Sequence, residues 1–324
     1  MYFNNKNNFY HGITFHLFHD KSLHKISQGS LDKDGFYKIL KYIGIKNILD
    51  AEEFLVRLKQ NKLNEKNICI TFDDGNKSQY DIALPILEDL KIKSFFFVYS
   101  SIFEGNPDLI EIYRYFRINF FNDIEEFYEI FFKKLDNDLE KFFNKEAKNI
   151  KYIKEKFSYY SNNDIKFRLV RDKLLAKNEY KNIMSELMKN KKFDYKNYYD
   201  LLFLSKNDLC ELKKLGHIIG LHSHSHPTNL STLSYDKQNY EYSKNIEVLS
   251  RILNVDKKTI NSVSYPSGSY NEDTIKILKD LNIEIAFKNT MFLEPGRKNK
   301  KINNSAFEIA RQDHAQIMSN LGIR

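Results

Sequence analysis

Short apolar runs that alternate with helix-like segments limit this chain to a small set of folds. The segment NICITFDDG (67–75) has the pattern of a buried strand that ends in a tight acidic turn. Apolar residues at helical spacing follow over 77–92, and KSFFFVYS (93–100) returns to the strand pattern. A strand, a helix and a second strand in this order form a βαβ unit, whose two strands pair in parallel.

The same alternation resumes after residue 204. SKNDLCELKKLG predicts a helix with Ser205 as its N-cap and Gly216 as its stop. GITFHLF near the N-terminus predicts a first strand, and four later strands, with two helices among them, are predicted at HIIGL, INSVSYP, IEIAFK and AFEIAR. Such a succession indicates a barrel or a doubly wound sheet, in which chemistry gathers at the carboxyl ends of the strands.

Residues 101–203 have a different character. They are amphipathic over long stretches, contain few glycines or prolines, and carry aromatic residues at helical spacing. This pattern predicts a helical insertion with aromatic residues packed together, within an α/β domain formed by 1–100 and 204–324.

Composition and charge exclude several classes of protein. Cys69 and Cys210 form neither a disulfide framework nor a metal-knuckle motif. The longest apolar runs fall far short of the ~20 residues of a membrane-spanning helix, and the first residues lack the features of a secretory signal. We therefore expect a cytoplasmic protein without an integral membrane segment. Because acidic residues interleave with the basic ones that give the net charge of +8, we do not expect nucleic acid as its partner.

The acidic turn TFDDG places two adjacent carboxylates, Asp73 and Asp74, at the end of a predicted buried strand. Two such charges repel each other, and a bound cation would relieve the repulsion by taking one carboxylate and leaving the other free to act as a base. The alternative is an ordinary Asp-Gly turn, in which both residue types are common.

The segment GLHSHSHPTN (220–229) carries three histidines at every second position. In an extended segment His222, His224 and His226 would face one way as a three-histidine metal site. In a single helical turn only His222 and His226 would converge, and Pro227 limits any helix to one turn. The spacing leaves both arrangements open, beside a third in which the histidines are incidental to a polar loop.

Together, TFDDG, GHIIGLHSHSHP and SYPSGSYN resemble the motifs of the polysaccharide deacetylase family (carbohydrate esterase family four, the chitooligosaccharide-deacetylase homology domain). The family combines a strand-terminal Asp-Asp pair, a His-Ser/Thr-x-x-His motif and a third motif centred on Pro and Gly. The resemblance covers 67–100 and about 205–314. It implies an α/β fold, a distorted (β/α)7–8 TIM-like barrel, with 101–203 as a large helical insertion outside it.

The resemblance also implies roles for the motif residues. Asp74, His222 and His226 would hold a divalent metal, with zinc expected and cobalt or nickel also suited to such ligands, whereas His224 occupies a variable position. Asp73 would take a proton from the attacking water.

The third motif supplies an oxyanion contact but departs from the family pattern. The backbone N–H of Ser267, after Pro266, is the expected donor to the oxyanion. Many family members carry an arginine two residues before this proline, where the chain has Ser264. Arg311, at the end of the last strand-like run, would supply the missing charge, unless it forms only a surface ion pair.

Two further histidines are candidates by looser likeness. His314 in RQDHAQ is the expected general acid, with a solvated histidine as the alternative. In FHLFHD, His16 and His19 are three residues apart, so only one can face the mouth of the barrel if the segment is extended. We expect that residue to be His19, with a structural histidine as the alternative.

The sequence therefore predicts a metal-dependent hydrolase that removes the N-acetyl group of an amino sugar or glycan precursor in surface-glycan biosynthesis. One alternative is a catalytically silent homologue that binds glycan or metal, because the arginine of the third motif is absent. A second alternative is an enzyme that hydrolyses another amide. A protein that binds nucleic acid through its Lys- and Tyr-rich insertion is the rival from a different class. The sequence gives no oligomeric state.

Overall fold

The computed structural model of the protein describes residues 2–4, 6–135, 138–156, 160–293 and 301–323. The chain forms two compact units. The first contains the chain up to His24, Gly29–Asp108 and Asp200–Ile323, and the second contains Lys25–Gln28 and Leu109–Tyr199.

The first unit is built on a sheet of seven parallel strands, which are β1 His11–Phe15, β2 Ile68–Phe72, β3 Phe95–Val98, β4 Ile218–Leu221, β5 Ser262–Ser264, β6 Ile285–Phe287 and β7 Arg311–Asp313. Their order in the sheet is β6-β5-β4-β3-β2-β1-β7. A parallel bridge between Phe287 and Ile309 nearly closes the sheet into a barrel. The predicted (β/α) barrel is confirmed, with seven strands.

Helices lie between these strands along the chain and after the last of them. In chain order they are α1 Lys33–Ile43, α2 Ala51–Lys59, α3 Leu84–Leu90, α4 Leu109–Asn119, α5 Ile124–Phe132, α6 Leu139–Lys145, α7 Ala147–Lys156, α8 Asn162–Leu169, α9 Lys177–Asn190, α10 Tyr199–Leu202, α11 Lys206–Lys214, α12 Tyr235–Leu253, α13 Glu272–Asp280 and α14 His314–Leu321. Of these, α4–α9, between β3 and β4, belong to the second unit. Ser205 caps α11 as predicted, because its hydroxyl accepts from the Asp208 N–H while the Asp208 carboxylate accepts from the Ser205 N–H.

The strands are buried on both faces, as parallel strands covered by helices must be. Every residue of β2 and β3 is buried, and the rings of Phe95 and Phe97 stack 5.7 Å apart and pack near Phe287. This apolar interior fixes the strands in register, so that Phe15 at the end of β1 lies beside Phe72 at the end of β2. The residues that follow these two strands therefore emerge at the same level.

The last strand lies further along the chain than the sequence indicates. AFEIAR (306–311) has the strand pattern, yet β7 begins only at Arg311 and pairs with Gly12–Thr14 of β1. A charged residue at the start of a buried strand breaks the apolar pattern on which the prediction depends. Arg311 is therefore the first residue of the last strand and not its last residue.

The second unit is helical and contains α4–α9. Its centre is aromatic, since Phe116, Phe127, Phe131 and Phe167 are fully buried and pack with centroid distances of 5.0 Å to 5.7 Å within the cluster formed by the last three. This unit begins later and ends earlier than the predicted insertion, because residues 101–108 and 200–203 belong to the barrel unit. In the described part of the chain, no helix combines the length and the apolar character needed to cross a bilayer.

Candidate active site and metal centre

The turn that follows β2 separates the two adjacent aspartates. Asp74 and Gly75 both have a left-handed backbone, with φ of 75° and 69°. A Cβ at Gly75 would lie 2.8 Å from Val98 Cγ1, so only glycine fits there. Because the chain turns so sharply, the carboxylates of Asp73 and Asp74 have different partners.

The histidine loop after β4 brings two of its three histidines together. The rings of His222 and His226 lie 5.0 Å apart, and both face Asp74. The His224 ring is held elsewhere, with its Nδ1 2.9 Å from the Ser100 hydroxyl. The structure therefore has the i, i+4 pair and not the three-histidine arrangement.

Helix α12 and two left-handed residues shape this loop. Ser223 and His226 have φ of 62° and 57°, and the His226 N–H donates to the Ser223 hydroxyl at 3.1 Å. The Glu241 carboxylate accepts from two successive backbone N–H groups between the paired histidines. One turn further along α12, Asn245 accepts from the His222 N–H at 2.9 Å. The loop is thus neither extended nor helical, and a helix holds it from outside.

Asp74, His222 and His226 form a compact set of candidate ligands. The Nε2 atoms of His222 and His226 lie 3.2 Å and 3.4 Å from the same Oδ1 of Asp74. The three ligand atoms lie within 4.8 Å of one another. Atoms bound at about 2.1 Å around a tetrahedral ion are roughly 3.4 Å apart, so the spacing and the N, N, O donor set both fit a divalent metal.

Burial and the opposite charges in this set shift the pKa values of Asp74 and His226. Burial raises the pKa of Asp74, but the hydrogen bond from His222 and the charges of His226 and His16 outweigh it and leave the pKa well below its usual range. Burial lowers the pKa of His226, yet the hydrogen bond to Asp108 and the charge of Asp74 leave it raised. Asp74 is therefore ionised at neutral pH.

Asp73 forms a buried ion pair with Arg311. The Arg311 Nη1 and Nη2 atoms donate to Oδ1 and Oδ2 of Asp73, each at 2.7 Å. Ser264, which stands where many family members have arginine, accepts from Arg311 at 2.7 Å and donates to Asp73 at 3.0 Å. Burial raises the pKa of Asp73, but the Arg311 charge outweighs it and leaves the pKa lowered. Arg311 is 1% exposed and is no surface ion pair.

The surroundings of Arg311 fix its guanidinium. Its Nε donates to the Lys288 carbonyl at 2.6 Å, and its Nη1 donates to the hydroxyls of Thr14 and Thr71 at 3.3 Å and 3.2 Å. A Cβ at Gly12 would lie 3.0 Å from Arg311 Cγ, so glycine in β1 leaves room for this side chain. A positive charge from β7 therefore lies where the third motif would otherwise supply one.

His16 is a site residue that the sequence analysis passed over in favour of His19. Its Nε2 lies 4.0 Å from Asp73 Oδ2, and its side chain is 34% exposed. Burial lowers the pKa of His16, but the charges of Asp74, Asp73 and Asp313 outweigh it and leave the pKa raised. His16 follows Phe15 directly and is level with Asp73 after Phe72, a register that the sheet shows and the sequence does not.

The two histidines expected at the site have other partners. His314 is buried, and its Nδ1 and Nε2 lie 3.1 Å and 2.8 Å from the carbonyls of Thr14 and Gly29. The Nδ1 of His19 lies 2.7 Å from the Ser30 hydroxyl, and burial lowers the pKa of His19. This geometry does not support His314 as the general acid or His19 as the histidine at the barrel mouth.

Pro266 and Ser267 follow β5 in a single 3-10 turn, Pro266–Gly268. Pro266 is buried and Ser267 is exposed, with a left-handed φ of 52°. Directly before them, the Ser264 carbonyl lies 2.8 Å from Nδ1 of His222. The turn thus follows a strand end that contacts His222, and the oxyanion role of Ser267 stays a prediction.

Solved structures share this fold at low identity. The Streptococcus pyogenes deacetylase PplD in complex with acetate is 17% identical, with a TM-score of 0.54 over 93% of this chain and 90% of that chain. IcaB from Ammonifex degensii is 13% identical, with a TM-score of 0.53 over 98% of both chains. A de-N-acetylase from Aggregatibacter actinomycetemcomitans is 13% identical, with a TM-score of 0.50 over 94% of both chains.

Comparison with curated protein sequences gives no match. The family model for polysaccharide deacetylase matches residues 60–116 and 177–286, which is more than half of the chain. The match stops within α4, resumes at the start of α9 and passes through the Asp-Asp turn, the histidine loop and the turn after β5. The chain therefore belongs to the polysaccharide deacetylase family, whose members are hydrolases of amide bonds.

Proposed function

We propose that the protein is a metal-dependent deacetylase that hydrolyses the N-acetyl group of an amino sugar in a glycan or glycan precursor. The observation that carries the proposal is the convergence of Asp74, His222 and His226 beside the buried pair of Asp73 and Arg311. Metal-dependent amide hydrolysis requires a set of metal ligands and a carboxylate base close together, and both lie here at the ends of strands of one sheet.

Asp74, His222 and His226 would hold the metal, with zinc expected and cobalt or nickel also fitting two imidazoles and a carboxylate. Such an ion, when bound, supplies a Lewis acid that polarises the amide carbonyl and makes water more acidic. Both histidines have their Nδ1 atoms engaged by oxygen acceptors, Ser264 O and Asp108 Oδ2, which leaves each Nε2 on the side of Asp74.

Asp73 would accept the proton of the attacking water. The Arg311 charge keeps this carboxylate ionised at neutral pH, and the bidentate contact fixes its orientation. Each carboxylate oxygen has a second lone pair, so the contact with Arg311 leaves capacity to accept a proton.

His16 would donate a proton to the departing amine. An amide nitrogen leaves poorly without protonation, and the acidic groups around His16 raise its pKa and favour the protonated imidazole. Its partial exposure keeps the ring accessible to a substrate. We propose His16 for the role that the sequence analysis gave to His314.

The substrate class rests on the family, which acts on N-acetylated glycans. Two of the similar solved structures are named as a deacetylase and a de-N-acetylase, in keeping with the proposed reaction. A role in surface-glycan biosynthesis and a cytoplasmic location stay predictions from the sequence.

The test is acetate release from N-acetylated glucosamine oligomers and nucleotide-linked N-acetyl sugars. The protein is first stripped of metal with a chelator and then supplied with zinc, cobalt or nickel. We expect release that depends on added metal and that Asp73→Asn reduces by at least about 100-fold without loss of metal binding. Metal binding without release from any of these sugars would instead favour the catalytically silent homologue or a hydrolase of another amide.

A further inference from the structure

The two candidate ligand histidines are held by different kinds of acceptor. His222 directs its Nδ1 to the Ser264 backbone carbonyl at 2.8 Å. His226 directs its Nδ1 to the Asp108 carboxylate, with Oδ2 at 2.9 Å. Oxygen atoms of these groups can only accept, so in each neutral ring the proton lies on Nδ1 and the lone pair lies on Nε2.

Asp108 is itself held in place. It is the last barrel-unit residue before α4, and its backbone N–H donates to the Tyr99 hydroxyl at 3.2 Å. Tyr99 is 1% exposed, and its ring lies 5.4 Å from the His226 ring. One buried tyrosine therefore contacts both the histidine and the segment that carries its carboxylate partner.

The backbone at His226 increases the need for such a partner. Its φ of 57° is uncommon for a residue with a side chain, and Pro227 follows it. By contrast, His222 follows β4 directly and its N–H donates to Asn245 of α12, whereas the N–H of His226 donates within the loop itself, to the Ser223 hydroxyl. The position of the His226 ring thus depends more on side-chain contacts than that of the His222 ring does.

We infer that Asp108 is a positioning residue for the metal centre, which orients His226 and strengthens its Nε2 as a metal donor. This inference rests on the proposed metal site. A carboxylate behind a ligand histidine fixes the tautomer and raises the basicity of the ring, and loss of such a partner lowers metal affinity by about 10- to 100-fold.

The experiment measures metal affinity and not activity. Zinc dissociation constants are determined by competition with a chromogenic chelator for the wild type, Asp108→Ala and Asp108→Asn, and the visible spectrum of the cobalt-loaded forms is recorded. We expect Asp108→Ala to weaken zinc binding by about 10- to 100-fold. Asp108→Asn, which keeps an acceptor but loses the charge, should fall between Asp108→Ala and the wild type.

Glu104 provides a matched control. This carboxylate lies in the same stretch of chain and faces Lys244 of α12 at 3.3 Å and His224, the histidine of the loop that does not face Asp74, at 3.6 Å. Glu104→Gln should bind zinc as the wild type does, and the melting temperatures of the metal-free variants show that the fold is intact.

The outcomes separate the two proposals. A wild type that binds zinc, together with Asp108 variants that bind it equally well and give the same cobalt spectrum, overturns the inference and leaves the proposed function standing. A wild type that binds neither zinc nor cobalt overturns both. An equal loss of affinity in Glu104→Gln also overturns the inference, because it would show that any carboxylate near the loop has the same effect.

Discussion

Asp73 and Asp74 are neighbours in sequence but face different counter-charges. Asp73 is paired with a guanidinium, which stays protonated under all ordinary conditions. Asp74 faces two imidazoles, whose charge depends on pH and which must be neutral to bind a metal. The Asp73 pair is therefore a permanent part of the fold, while in the proposed metal site the Asp74 cluster exchanges protons for a cation.

Burial makes the contrast sharper. Asp73 is 3% exposed and Arg311 is 1% exposed, so either charge alone would be buried without its partner. A fixed counter-charge suits a carboxylate that must remain ionised through many turnovers, and an exchangeable one suits a ligand. In the proposed reaction the same two-residue turn provides a base and a ligand, because the strands beside it supply different partners.

The largest expected effect tests whether His16, the histidine beside Asp73, donates the proton to the departing amine. His16→Asn should reduce kcat for acetate release by about 10²- to 10⁴-fold, because general acid catalysis contributes that much. His314→Asn should affect stability more than kcat, since both ring nitrogens of His314 contact backbone carbonyls. The measurement is acetate release at saturating zinc, with circular dichroism to check the fold. A folded His314→Asn protein with the larger loss would reverse the assignment.

The pH profile of kcat should show one limb for Asp73 as the base and another for His16 as the acid. The lowered pKa of Asp73 keeps the base ionised until the pH falls below the ordinary value of about 4. The raised pKa of His16 keeps the acid protonated until the pH rises above the ordinary value of about 6.5. We expect kcat to fall on both sides of this window, and His16→Asn to remove the alkaline limb alone.

The next effect tests whether the Asp73 pair is structural and the Asp74 cluster is exchangeable. Arg311→Met should destabilise the metal-free protein by about 3–5 kcal/mol, because it leaves a buried carboxylate unpaired, and Asp73→Asn in the same chain should restore part of this stability. Asp74→Asn should abolish zinc binding at a far smaller cost in stability. Urea unfolding of the metal-free proteins measures both. Equal destabilisation by Arg311→Met and Asp74→Asn would remove the distinction.

The sequence predicts one side of the centre better than the other. The candidate ligands each lie in a short loop directly after a predicted strand: Asp74 in one loop, His222 and His226 in another. The family motif predicts which two of the three histidines belong to the ligand set. Helix α12 supplies Glu241 and Asn245, which hold the loop, but these residues have no local signal in the sequence. Their role depends on where a distant helix packs.

The Asp73 side depends on strand register, which a single sequence does not reveal. Arg311 was expected to supply a charge and lies beside Asp73, yet the strand that carries it starts where the apolar pattern ends. The choice between His19 and His16 depends on the exact end of β1, and the strand stops at Phe15. A shift of a few residues at either end decides which histidine reaches the carboxylates.

The smallest expected effect compares two strand glycines, Gly220 before the histidine loop and Gly12 beside Arg311. A Cβ at Gly220, in β4 two residues before His222, would lie 2.5 Å from Ser262 Oγ and 2.6 Å from the Phe97 ring. A Cβ at Gly12, in β1, would lie 3.0 Å from Arg311 Cγ and 3.3 Å from Thr71 Cγ2. Both Gly→Ala variants should destabilise the protein by about 1–3 kcal/mol, with Gly220→Ala the more severe, because a packed ring yields less than the stem of an arginine.

The functional readouts of the two glycine variants should differ as well. Gly12→Ala displaces the guanidinium, so kcat should fall while zinc affinity is retained. Gly220→Ala acts through the strand that leads to the histidine loop, so zinc affinity should fall first. Unfolding in urea gives the order of stabilities, and zinc titration of the folded variants gives the second comparison. If Gly12→Ala lost zinc and Gly220→Ala kept it, the two sides of the centre would not be mechanically separate, and the division between a structural pair and an exchangeable cluster would fail.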